Sequence, residues 1–234
     1  MTEHEFIKEL SILGIELSEL QRKQFHMYYE LLVEWNQKMN LTGITEESQV
    51  YLKHFYDSAT ILKAIDFHEV TTLCDVGTGA GFPGIVLKIL FPDIQISLVD
   101  SLQKRITFLD EVIQKLELKK IKTYHARAED FAKEHRESFD VVTARAVAPL
   151  SILMEYCMPL VKINKYFIPL KGNISQELEE SKKAMEILHG YLEKEISFLL
   201  PKEQSNRTIL VIKKQEKTSL KYPRKYSEIK KKPL

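Results

Sequence analysis

Cysteine is nearly absent from this chain: Cys74 and Cys157 are the only two in 234 residues. Two thiols so far apart build neither a disulfide framework nor a zinc site, and they suit a reducing cytoplasm. Long apolar runs are missing too, none approaching the ~18 residues needed to span a bilayer. The opening residues, MTEHEFIKEL, are charged and mixed, which argues against a secretory leader. There are no internal repeats. Glycine is also scarce, with eight in all, yet Gly77, Gly79, Gly81 and Gly84 crowd into eight consecutive positions.

Charge of one sign is missing only in the sum. Net charge is +1, but from Lys213 onward nine Lys or Arg face only Glu216 and Glu228. The end is therefore +7 and the remainder −6. A basic tail on a near-neutral body suits either contact with a polyanion or a solubilising end.

The first 70 residues read as helices. Thr2 with Glu5 and Ser18 with Gln21 have capping-box spacing. Leu20, Met27, Leu31 and Trp35 recur at helical intervals, with Tyr28, Leu32 and Met39 beside them, and predict one buried face, and a third helix is expected over 46–65. From residue 71 the texture alternates. Strands are expected at 71–76, 94–100, 120–126, 139–146 and 166–171, and helices at 83–90, 102–116, 150–161 and 175–188. Two late runs, YLEKEISFLL and RTILVIKK, are placed to pair antiparallel at an edge. The expected fold is α/β, a mostly parallel sheet covered on both faces. Residues 1–68 would form a helical extension, 69–214 the core and 215–234 a basic tail. Ligands of such sheets sit outside the carboxyl ends of the strands, which points to 75–84, 100–105, 125–130 and 143–149.

LCDVGTGAGFPG (73–84) follows the first strand. The run GAGFPG fits the dinucleotide pattern G-x-G-x-x-G, but the glycine at the strand's end is Gly77, which gives G-x-G-x-G with Gly79 and Gly81. Asp75 would also repel a pyrophosphate. A cationic ligand reverses that sign. S-adenosylmethionine carries an ammonium and a sulfonium, and an acid before G-x-G-x-G suits it. Asp100, 23 residues beyond Gly77, stands at the second strand's end, where a carboxylate can accept ribose hydroxyls. The expectation is a class I, Rossmann-like methyltransferase fold.

The acceptor is narrowed by what the fourth strand's end lacks. TARAVAPL (143–150) contains neither a cysteine beside proline, for attack from cytosine carbon, nor Asn or Asp before two prolines, for an exocyclic amine. Acceptors with a free lone pair remain, guanine N7 among them, and these need alignment more than a base. Arg145, Lys171 and Arg207 fall at or before late strand ends, where cations can hold guanine O6 or phosphate.

WNQKMNLTGIT (35–45), HFYDSA (54–59), DVGTGAGFPGIVLKI (75–89), VDSLQKRITFL (99–109), FDVVTARAVAPL (139–150), LKG (170–172) and RTILVIKK (207–214) together resemble the ribosomal small subunit methyltransferase G family, also called glucose-inhibited division protein B. The resemblance implies methyl transfer from S-adenosylmethionine to N7 of a guanine in 16S ribosomal RNA. It implies cofactor contacts at Gly77, Phe82, Ala128, Glu129 and Arg145, an acid for the ribose at Asp100, and RNA or base contacts at Lys171 and Arg207. Val86 and Pro169 depart from the usual proline and alanine of the family.

The expected partner is 16S ribosomal RNA or the small subunit, with no membrane, no metal and no obligate protein partner. A nicotinamide-dependent oxidoreductase, a small-molecule methyltransferase and a non-catalytic RNA-binding assembly factor stay open as rivals. His54 and Asp57 read either as pocket residues or as a surface pair, Asn40 as a helix cap or a pocket residue, His125 as structural, and Lys104 with Arg105 as phosphate-facing or solvated. The tail, rich in Tyr, Pro and cations, suits an extended arm on RNA.

Overall fold

A computed structural model describes residues 1–234, the side chain of Ser175 excepted. Both capping boxes form. The hydroxyls of Thr2 and Ser18 accept from the backbone N–H of Glu5 and Gln21, whose side chains accept in return. They open helices α1 (Glu3–Ile12) and α2 (Glu19–Lys38). The buried stripe of α2 keeps Tyr28, Leu31 and Leu32 of the expected face but turns away from Leu20 and Met27. Phe25, Tyr28, Leu31 and Leu32 are buried, whereas Leu20 and Met27 are 64% and 39% exposed. The aromatic residues decide the face, because α1 presents Phe6 to Phe25 edge-on at 5.0 Å.

The third helical run is interrupted. It comprises α3 (Glu47–Val50), a π-helical segment Tyr51–Tyr56, α4 (Asp57–Ala59) and a 3-10 turn Thr60–Lys63. Such π segments concentrate where side chains need re-aiming, and this one carries His54 and runs into Asp57.

Seven strands follow: β1 (Thr72–Val76), β2 (Gln95–Asp100), β3 (Ile121–His125), β4 (Phe139–Arg145), β5 (Val161–Lys171), β6 (Gly190–Leu199) and β7 (Asn206–Lys214). Their order is β3-β2-β1-β4-β5-β7-β6. The first five are parallel, and β5–β7 and β7–β6 pair antiparallel, as the two late runs implied. The switch point lies between β1 and β4, so their carboxyl ends open side by side.

The helices that accompany the sheet are α5 (Gly84–Leu90), α6 (Gln103–Lys115), α7 (Ala128–Glu134), α8 (Leu150–Cys157), α9 (Ser175–Glu180) and α10 (Lys182–Ile187). Three differ from expectation. α8 stops at Cys157 because Pro159 has no N–H to continue it, and β5 begins at Val161. The 175–188 helix breaks at Ser181. α7 was not anticipated, although Glu129 and Asp130 in its first turn suit a helix start.

The basic tail does not extend away from the body. It ends in a last helix, α11 (Tyr226–Lys231), whose Ile229 is fully buried against the core. Arg224 binds the buried Glu155 carboxylate through its backbone N–H and two guanidinium nitrogens at 2.6–2.9 Å. Arg136 donates to the carbonyls of Thr218 and Tyr222 at 2.5 and 2.6 Å.

The helical extension shares its core with one face of the sheet. Gln21 Nε2 donates to the Ile89 carbonyl, and the Tyr28 hydroxyl donates to the Ala80 carbonyl at 2.5 Å inside the glycine loop. Tyr28→Phe leaves that carbonyl without its donor at unchanged shape. We expect a loss of about 1–3 kcal/mol in urea unfolding. No change in midpoint would mean that the bond does not couple extension to loop.

Candidate active site: two clefts joined at Ala146

The glycine loop hangs on one buried carboxylate. Asp75, fully buried at the end of β1, accepts from Thr78 Oγ1 at 2.7 Å and the Gly84 N–H at 2.8 Å, both on Oδ2. Its Oδ1 is buried and has no hydrogen-bond partner. Burial outweighs the two hydrogen bonds and pushes its pKa up to about 6. Asp75 lines neither cleft described below, so its place in the structure is beneath the loop, shaping it, and not facing a ligand.

Gly77 shows why the loop cannot carry side chains. Its φ is +68°, and a Cβ there would lie 2.6 Å from Val147 Cγ2. The loop after β1 thus presses against residues 146–148, which follow β4.

Between these loops opens a cleft of about 480 Å³ bounded by Gly77, Asp100, Arg105, Arg127, Glu129 and Tyr226, within the usual range of small-molecule sites. Asp100, at the end of β2, accepts from the N–H groups of Gly79 (3.0 Å) and Leu102 (2.9 Å) and from Arg105 Nη1 (3.1 Å). Arg105 is therefore a cleft residue paired with Asp100, while Lys104 is exposed. Glu129, only 4% exposed, faces the cleft beside Ala128 and accepts no hydrogen bond among the described residues.

A second cleft of about 410 Å³ shares Ala146 with the first. It gathers His54 and Asp57 from the helical extension with Arg145, Lys171 and Arg207 from the ends of β4, β5 and β7. Asp57 joins two cations: its Oδ1 accepts from Arg207 Nε at 2.8 Å, and its Oδ2 lies 3.4 Å from Arg145 Nη1. Arg145 also donates to the Lys53 carbonyl, and its guanidinium lies over the Phe82 ring at 5.3 Å. Lys171 pairs with Glu177 at 2.7 Å and donates to the Ala148 carbonyl.

His54 stacks on Phe82 with ring centroids 4.5 Å apart. Burial, and then the Arg145 charge, lower its pKa to about 3. The imidazole is thus neutral, with Nδ1 toward Arg145 and Nε2 toward Thr42 Oγ1 at 2.8 Å. Asn36, not the exposed Asn40, secures this stretch, its Oδ1 accepting from the N–H groups of Leu41 and Thr42.

The candidates therefore separate by place. Gly77, Asp100, Ala128 and Glu129 line the first cleft, and Lys171, Arg207 and Arg145 the second. Phe82 lines neither; it lies behind Arg145 and His54. Gly79 meets the site through its N–H to Asp100. His125 lies on β3 with its Nε2 3.1 Å from the Ser101 carbonyl. Arg105 falls in the expected 100–105 stretch and lines the first cleft, whereas Tyr226 was missed, since only the tertiary fold brings it there. Among the described residues no group of His, Cys, Asp and Glu suits a metal ion, and no helix is long and apolar enough to cross a membrane.

A doubly wound sheet with an acid-led glycine loop after β1 and a carboxylate ending β2 defines an S-adenosylmethionine-dependent methyltransferase of class I. The donor set fits that cofactor: Glu129 and the remaining lone pairs of Asp100 offer acceptors for its ammonium and hydroxyl groups.

The chain belongs to the rRNA small subunit methyltransferase G family, whose model matches residues 21–218. It is 52% identical over 237 residues to Ribosomal RNA small subunit methyltransferase G of Bacillus pumilus, covering 100% of this chain and 99% of the relative. The namesake of Bacillus cytotoxicus is 55% identical over 228 residues, covering 96% and 95%. A solved S-adenosylmethionine-dependent methyltransferase from Aquifex aeolicus shares the fold, with TM-score 0.53 over 77% of this chain and 97% of its own at 17% identity.

Two outcomes test this geometry. Gly77→Ala should weaken S-adenosylmethionine binding at least tenfold by calorimetry, since it adds both the Val147 clash and ~1–2 kcal/mol of left-handed strain. Adding Val147→Ala should recover part of the loss, and no recovery would rule out the clash. For Asp75 the folded pKa lies above the unfolded one, so the native state holds the extra proton. The wild type should lose stability as pH rises from about 4 to about 6. Asp75→Asn keeps an acceptor for Thr78 and Gly84 and removes the charge. In thermal melts it should gain on the wild type across that window, and parallel pH curves would contradict this.

Proposed function

We propose that the protein transfers a methyl group from S-adenosylmethionine to N7 of a guanine in 16S ribosomal RNA, in the cytoplasm. One observation carries the choice of acceptor atom: the second cleft offers donors but no free base. Asp57 is held between Arg145 and Arg207, Glu177 is held by Lys171 and the Leu150 N–H, and His54 is neutral with its ring nitrogens engaged. Guanine N7 carries a lone pair and loses no proton before attack. Proximity and orientation are then the main requirements.

When bound, the cofactor supplies an electrophilic methyl group. Gly77, Asp100, Ala128 and Glu129 would hold it in the first cleft. Arg145, at the junction, is fixed by the Lys53 carbonyl, Asp57 and Phe82 and so is oriented before any base arrives. Arg207 and Lys171 would donate to guanine O6 or to flanking phosphates.

The tail supports a polyanionic acceptor. Lys133, Lys221, Lys225, Lys231 and Lys232 border one groove together with Arg224 and Glu228, a charge arrangement suited to RNA phosphates.

The deciding experiment uses small subunits, and protein-free 16S RNA, from cells lacking this protein. Both are incubated with radiolabelled S-adenosylmethionine and the RNA is digested to nucleosides. Label is expected in 7-methylguanosine, and the better substrate distinguishes particle from free RNA. Label in another nucleoside would overturn the N7 assignment. Cofactor binding without any label would favour a small-molecule acceptor or a non-catalytic role.

A further inference from the structure

One wall of the cofactor cleft comes from outside the family's matched region. The family model ends at residue 218, yet Tyr226 and Lys230 of α11 border the same cleft as Gly77 and Asp100. Tyr226 is not placed there by a loose end. Ile229 buries its side chain completely, and Arg224 is locked on the buried Glu155.

The ring is 42% exposed, an unusual position for an aromatic held so firmly on either side in sequence. The Arg127 guanidinium lies over it at 4.8 Å and Lys230 Nζ at 5.9 Å. Arg127 directly precedes α7, where Ala128 and Glu129 enter the cleft. Tyr226 is thereby tied to Ala128 and Glu129, two of the residues that the family resemblance places against the cofactor. Tyr156 and Ile152 add apolar surface nearby. A planar, uncharged base suits such a neighbourhood: an aromatic ring offers it stacking, and a guanidinium offers a second flat surface.

We propose that Tyr226, seated on Arg127, is a cofactor-positioning residue that covers the adenine end of the cleft. The C-terminal helix is then part of the binding site and not only a basic appendage. This rests on the reading of the first cleft as an S-adenosylmethionine site. The alternative use of the same residues, contact with RNA alone, becomes an outcome of the test.

The test measures S-adenosylmethionine and S-adenosylhomocysteine binding to the full chain by calorimetry, without RNA. Tyr226→Ala should weaken both about tenfold, the scale of one base–aromatic stacking contact, and Tyr226→Phe should bind as the wild type. In turnover the KM for S-adenosylmethionine should rise while the KM for the RNA substrate holds. As a second readout, bound S-adenosylhomocysteine should slow tryptic cleavage at Lys230 and Lys231 in the wild type and not in Tyr226→Ala. Since Tyr226 is half exposed, a melting temperature close to the wild type is expected, and a large drop shared by Tyr226→Phe would assign it to folding instead. Equal affinity in Tyr226→Ala and wild type, or a loss confined to RNA binding, would overturn the proposal. Failure of the wild type itself to bind S-adenosylmethionine would overturn the reading of the cleft.

Discussion

A buried carboxylate that gathers a loop around itself is the constraint on which this molecule depends. Asp75 takes one hydrogen bond from Thr78, at the start of the glycine loop, and one from Gly84, where α5 begins. Between those points the chain must turn sharply, and positive φ at Gly77, Gly79 and Gly81 permits it. The bare backbone that results can approach Val147 on one side and Tyr28 on the other. The cost is a charge held away from water, visible in the raised pKa of Asp75. Both clefts are consequences of that turn, since each opens against loop 146–148 where β1 and β4 end together.

The helical extension completes the chemistry. Arg145 belongs to the sheet, but the groups that fix it, Lys53, His54 and Asp57, belong to the extension. A largely covered arginine is costly unless its donors are satisfied, and the π-helical segment, with Asp57 directly after it, presents these acceptors together. The second cleft is thus held by two parts of the chain, sheet and extension, that meet at Arg145. Stability of the extension and geometry of the acceptor cleft are linked for that reason.

Electrostatics divide the two clefts. The first has carboxylates with acceptor capacity to spare, Asp100 and Glu129, balanced by Arg105, Arg127 and Lys230. The second has its acids tied up and its cations facing inward. A cationic ligand and an anionic polymer can then meet at Ala146 without either entering the other's place.

The sequence alone determined the strand and helix alternation, the antiparallel edge, the capping boxes and the acid-led glycine loop. Each is a local pattern: period, spacing or turn chemistry within a few residues. Gly77, Asp100, Arg145, Lys171 and Arg207 were legible because the doubly wound topology sends them to strand ends. Tertiary structure decided the rest. Which face of α2 is buried depended on aromatic partners from α1 and the π-helical segment, so periodicity placed Leu20 and Met27 wrongly. Asp75 lies beneath the loop because Thr78 and Gly84, at the loop's two ends, both donate to its carboxylate. Tyr226 reaches the first cleft from far along the chain, and Asp57 meets Arg207 across 150 residues, separations for which sequence spacing carries no signal. The tail shows the same limit: its charge is composition, but its docking rests on Glu155 and a buried Ile229.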